Sequence, residues 1–98
     1  MTIEKTICDS AIVLSLSGRL DTTTSPLFES ELKEVLPGAE NLVIDFAALD
    51  YLSSAGLRVL LGAQKVMNKQ GAMVVKNVNE TIMEIFEVTG FSDILTIE

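Results

Sequence analysis

Short, almost wholly apolar runs alternate with amphipathic stretches along this chain, and that alternation leaves few folds open. "NLVIDF" (residues 41–46) and "AMVVK" (72–76) are brief and rich in branched side chains. Such runs read as strands of a parallel sheet, covered on both faces. Between them lies "SAGLRVLLGAQKVMNK", a helix from Ser54 to Lys69 closed by Gly71. Strand, helix and strand in succession require a crossover. Repeated crossovers require an α/β architecture with helices packed on a mostly parallel sheet.

The flanking segments extend the pattern. "TIEKTIC" (2–8) and "AIVLSLS" (11–17) read as two strands joined by a tight Asp9-Ser10 turn, with Gly18 ending the second. A helix then starts at Ser25-Pro26, the serine capping it and the proline preset for its first position. Leu27, Phe28, Leu32, Val35 and Leu36 form its apolar face, and Pro37-Gly38 stops it. Glu29 and Glu31 lie toward its N-terminal end, where the dipole favours them. "AALDYL" (47–52) reads as a connection holding at most a short extended piece. A third helix runs from an Asn79 cap to Gly90, burying Ile82, Ile85 and Phe86, and "DILTIE" (93–98) reads as a last edge strand. The expectation is one α/β domain over residues 1–98, a mixed, mostly parallel sheet of about five strands with an N-terminal hairpin and three or four packed helices. No internal repeat, low-complexity tract or linker interrupts it.

Composition removes several function classes. The net charge is −7, with 7 basic residues spread thinly among 14 acidic ones. A backbone-neutralising nucleic-acid binder carries a basic patch, so direct nucleic-acid binding is not expected, and an anionic membrane surface would repel the chain. An acidic chain is free to meet a basic protein partner. Histidine is absent, which removes imidazole bases and histidine metal ligands. Cys8 is the only cysteine; it forms no internal disulfide and reads as a small apolar filler. Neither phosphate-cradling glycine motif occurs. The chain is therefore expected to be no enzyme and to carry no cofactor or metal. No apolar run approaches the ~20 residues of a membrane span, and "MTIEKTICDS" does not read as a signal peptide, so the expected compartment is the cytoplasm.

The helix from Ser54 to Lys69 carries the most information. At about 100° per residue, Ala55, Val59, Leu60, Ala63, Val66 and Met67 gather on a core side. Ser54, Arg58, Gly62, Lys65 and Lys69 gather opposite, on a solvent side. Leu57 and Leu61 fit the core side poorly. Leu61 falls nearly in line with Ser54, Arg58 and Lys65, either as an exposed contact residue or tucked under a loop. Two serines stand at the helix start. A serine there serves as an N-cap, worth about 1 kcal/mol against alanine. It can also accept a phosphoryl group, adding about −1.5 to −2 charge where free amides and the dipole stabilise it.

"SSAGLRVLLGAQK", preceded by "NLVIDFAALDYL", resembles the signature of the STAS family, the sulphate-transporter and anti-sigma-factor-antagonist domains. "GRLDTTTSP" is similar to the family's strand–loop–helix element, with Asp21 at its aspartate, and "GAMVVKNVNETIMEIFEVTGFSDILTI" to its closing half. The resemblance spans essentially the whole chain and points most closely to bacterial anti-sigma factor antagonists. It implies that the phosphorylated residue lies two positions before the Gly56-Leu57 pair, at Ser54. The family often has aspartate directly before that residue; here Ser53 stands there, which makes Ser53 a second candidate. The resemblance further implies partner switching. The unphosphorylated chain binds an anti-sigma factor serine kinase and frees the sigma factor, phosphorylation at Ser54 ends the binding, and a serine phosphatase resets it. Asp21, Ser53, Ser54, Gly56, Arg58 and Leu61 make up the expected partner-binding surface.

Two other functions fit parts of the sequence. A STAS-type scaffold subunit of a lipid or anion transport system would dock through the same helix face without phosphorylation. Carboxylate chemistry at Asp21, Asp45 or Asp50 is the enzymatic alternative. An aspartyl phosphoacceptor at Asp45 or Asp50 would also need an acidic pair near the first strand to hold magnesium, and the opening hairpin offers none.

Overall fold

A computed structural model describes residues 1–98. Strand β1 (Thr2–Cys8) pairs antiparallel with β2 (Ala11–Leu20), and Asp9 turns the hairpin in the left-handed region at φ 55°. Helix α1 (Ser25–Val35) leads to β3 (Asn41–Leu52), α2 (Ser54–Met67) to β4 (Ala72–Lys76), and α3 (Glu80–Thr89) to a single 3-10 turn at Phe91–Asp93. The strands lie in the order β1-β2-β3-β4, with β2, β3 and β4 mutually parallel. The sheet is thus the mixed, mostly parallel one expected, with four strands and three α-helices.

Right-handed crossovers that all step the same way across a sheet deliver their helices to one face. Leu14, Ile44 and Val75 lie side by side on that face. They share one buried cluster with Phe28 and Leu32 of α1, Leu57, Leu60 and Met67 of α2, and Ile82 and Phe86 of α3. The other face holds Val13, Val43 and Val74 in one row, half-buried and outside that cluster. The expectation that residues 41–46 are covered on both faces is therefore corrected. One face is packed by helices, and the valines of the other are only half-buried.

Several boundaries also differ. β2 does not stop at Gly18 but runs to Leu20; Gly18 sits inside it at φ 92°, where the pairing with β3 shifts register. "AALDYL" is not a connection but the second half of β3. α1 is capped one residue earlier than expected, at Thr24, whose backbone oxygen accepts from Leu27 and Phe28. Leu27 is 52% exposed rather than part of the apolar face. Glu29 lies in the second turn of α1, past the reach of the dipole, and pairs instead with Lys33 at 3.8 Å. α2 ends at Met67, and Gly71 is needed for a close approach: a side chain there would collide with the backbone of Glu40. α3 keeps its expected Asn79 cap, which accepts from Ile82 N at 2.9 Å, and its left-handed Gly90. The last strand shrinks to one parallel bridge, Val75 to Ile97.

Candidate functional site

β2 and β3 end together, and their ends build the site. Leu20 pairs with Leu52, and Ser53 N donates to Leu20 O at 2.9 Å. This sets Asp21, which follows β2, beside the two serines that follow β3. Gly56 permits the arrangement. It is buried, and a Cβ on it would meet Leu52 at 2.7 Å and Leu20 at 2.8 Å. Only a glycine lets the first turn of α2 come down onto the two strand ends. Gly56 therefore offers a partner no side chain, and its place is beneath the surface.

The two serines separate cleanly. Ser53 occupies the N-cap position in an extended conformation, and its backbone oxygen accepts from Leu57 N at 3.0 Å. Its side chain caps nothing: Ser53 Oγ is buried without a hydrogen-bond partner. Ser54, the first residue of α2, is exposed. The hydroxyl available to another protein is that of Ser54.

Asp21 is organised by the loop that follows it. Its carboxylate accepts from Thr23 Oγ1 at 2.7 Å, Thr23 N at 3.0 Å and Thr24 N at 3.1 Å. The Thr23 hydroxyl, then the Thr24 amide, hold its pKa below the usual carboxylate value. Arg19 Nε lies 3.7 Å from the same carboxylate, and the Arg19 guanidinium sits 4.2 Å over the Tyr51 ring. Thr24 Oγ1 donates to Arg19 O at 2.7 Å and accepts from Asp21 N at 2.8 Å, and the buried Ser25 donates its hydroxyl to Asp21 O at 2.6 Å. Arg19 and Tyr51 went unread in the sequence. Their signal was positional, since each stands two residues before a candidate, Asp21 and Ser53, and parallel register pairs them.

On α2 the charged side is as expected and the core side is rotated. Ser54, Arg58, Gly62, Lys65 and Lys69 are exposed. The buried stripe is Gly56, Leu57, Leu60, Ala63, Gln64 and Met67. Leu57 thus belongs to the core, Val66 is 39% exposed, and Leu61 is half-buried at the margin of the charged side. Between α1 and α2 lies an open cleft of about 250 Å³, with Thr22, Ser25 and Glu29 on one wall and Ala55, Arg58 and Val59 on the other. Asp45 is away from this site and structurally committed, accepting from Ala47 N at 2.9 Å and Asn77 Nδ2 at 3.0 Å. No group of three or more acidic or cysteine side chains is placed to hold a metal, and no helix is long and apolar enough to cross a membrane.

The chain as a whole, in sequence and in fold, is matched in known proteins. The STAS domain family model matches residues 2–98. The chain belongs to the STAS family. A relative from Listeria monocytogenes, named an anti-sigma-B factor antagonist, is 33% identical over 90 residues, covering 89% of this chain and 78% of its own. The crystal structure of an anti-sigma factor antagonist from Mycobacterium paratuberculosis has a TM-score of 0.91 at 26% identity, over 98% of this chain and 83% of that one. The Bacillus cell fate determinant SpoIIAA, solved in its phosphorylated form, shares the fold with a TM-score of 0.77 at 18% identity, over 99% and 91% of the two chains.

Proposed function

We propose that this STAS domain is an anti-sigma factor antagonist switched by phosphorylation at Ser54. Unphosphorylated, it binds an anti-sigma factor serine kinase in the cytoplasm and frees the sigma factor. In the switching step Ser54 Oγ attacks the γ-phosphorus of ATP. The Ser54 O–H bond and the bridging P–O bond break, the proton passes to a base on the kinase, and ADP leaves. A serine phosphatase hydrolyses the ester and restores the hydroxyl.

The carrying observation is the contrast between the exposed Ser54 and the buried hydroxyl of Ser53. Asp21, Arg19 and Tyr51 supply a fixed, charged and aromatic margin beside it, of the kind that anchors protein contacts. A phosphate set into such a contact must be desolvated and paired or the contact fails. A differential of about 3–4 kcal/mol changes affinity by a few hundredfold, enough for a switch.

Intact-mass analysis with site mapping tests this, on protein from its native cells before and after treatment with a serine phosphatase. One removable phosphate on Ser54, absent from Ser54→Ala, is expected. A phosphate on Ser53 would refute the site. No phosphate under any growth condition would favour the transport-system scaffold, with the α2 face as a fixed dock.

A further inference from the structure

We propose that a phosphoryl group on Ser54 is held in cis by Arg58, so that phosphorylation both adds an anion to α2 and withdraws the cation that the unprimed face offers beside the α1–α2 cleft. The proposal rests on Ser54 as the acceptor and specifies how that modification acts.

Ser54 and Arg58 are four residues apart on one exposed side of α2. On a helix this spacing puts the two Cβ atoms about 5–6 Å apart, with the anion on the favoured N-terminal side. A guanidinium reaches two oxygens of a phosphate at once, which an ammonium does not. Arg58 is also free to respond. Arg19, Lys33 and Lys76 each have a carboxylate at 3.7–3.8 Å, whereas Arg58 has none within ion-pair distance. α2 itself contains no acidic residue.

Two of the charged neighbours on adjoining elements, Glu29 and Asp21, are already engaged. Glu29, which shares the cleft with Arg58, pairs with Lys33 on α1. Asp21 is held by Thr23, Thr24 and Arg19, and Arg19 also stacks on Tyr51 at the end of β3. Asp50, exposed on β3, has no ion pair. Lys65 lies on the same side of α2 but 11 residues from Ser54, about 16 Å along the axis. A new dianion at Ser54 therefore meets one nearby unpaired cation on its own helix, and that cation lines the cleft.

The test uses full-length protein with phosphoserine installed at position 54 during translation, and follows the 31P resonance through the second phosphate ionisation near pH ~6. A neighbouring cation favours the dianion, so the midpoint should be lower by about half a pH unit than in the same protein carrying Arg58→Ala. Arg58→Lys should fall between, and Lys65→Ala should match the parent. The backbone amides at the helix start are common to all four proteins, so the difference isolates the side chain. Circular dichroism confirms that each is folded. Equal midpoints for parent and Arg58→Ala, or an equal displacement by Lys65→Ala, would overturn the proposal. Because no kinase is used, equal midpoints would leave Ser54 standing as acceptor, while a failure of native-site mapping would leave a measured Arg58 pairing intact.

Discussion

Ser53 and Asp21 show how far a residue's type falls short of fixing its role. A serine at an N-cap ordinarily contributes about 1 kcal/mol through its hydroxyl. Ser53 has the position and the backbone conformation but not the hydrogen bond, and its buried oxygen is unpaired. An unpaired buried polar group is a cost. Ser53→Ala is therefore expected to leave stability unchanged or raise it by up to about 1 kcal/mol, read from the urea midpoint at constant m-value. A loss of the usual cap value would show that the hydroxyl is paired in solution. Asp21 is the converse, a loop aspartate made structural by Thr23 and Thr24. Its folded pKa lies below the usual 3.8, so its carboxylate contributes stability that is complete above that value and lost as pH falls through the lower, folded one. The stability gap between parent and Asp21→Asn should accordingly be constant near neutrality and close on acidification below about pH 4, followed by denaturant titrations at a series of pH values. A gap that stayed constant to low pH would mean the carboxylate is not held as described. The aspartate could be read from its place after a strand; its threonine partners could not, because their side-chain directions depend on how the loop closes.

At the scale of elements, legibility followed periodicity. The bounds of α3 could be read, because Asn79 and Gly90 bracket a regular stripe, although of the three residues expected to be buried Ile85 is only half-buried beside the buried Ile82 and Phe86. β3 could be read only to Phe46. Beyond it, two register shifts against β2 each insert an extra residue, Ser15–Ser17 facing Asp45–Ala48 and Gly18–Arg19 facing Leu49–Tyr51. Buried positions then fall at Phe46, Leu49 and Leu52, a spacing of three that imitates neither a strand nor a helix over so short a run. On α2 the charged side is legible, but the core side is not, because residue type favours Ala55 and Val66 over Gly56 and Gln64, which are the buried residues. The two inner glycines of α2 make opposite predictions from the same residue type. Gly56→Ala forces a Cβ to within 3 Å of Leu52 and Leu20 and should cost about 1–3 kcal/mol. Gly62→Ala meets nothing within 4 Å and should stabilise by up to about 1 kcal/mol through helix propensity. Thermal melts of both variants decide this, and equal signs would contradict the packing.

Across the whole molecule, the α/β class and the mostly parallel sheet followed from the sequence, whereas the sidedness of the sheet and the fate of its last segment did not. Neither is local: both depend on every crossover stepping in the same direction until β4 becomes an edge. The chain's last residues protect that edge in a reduced way. Val75 N donates to Thr96 O and Glu98 N donates to Val75 O, each at 2.9 Å, while Leu95 is only 5% exposed. "DILTIE" is thus a buried leucine and one bridge rather than a strand, and its first residue, Asp93, belongs to the 3-10 turn at Phe91–Asp93. Removing residues 94–98 should cost about 2–3 kcal/mol for the leucine and about 1 kcal/mol for each hydrogen bond, a large share of a margin of about 5–15 kcal/mol. The truncated chain should show a lower urea midpoint, and its Val75 amide should exchange faster than its neighbours in β4, having lost its acceptor. A truncation that left both unchanged would mean that β4 is stabilised by β3 and α2 alone.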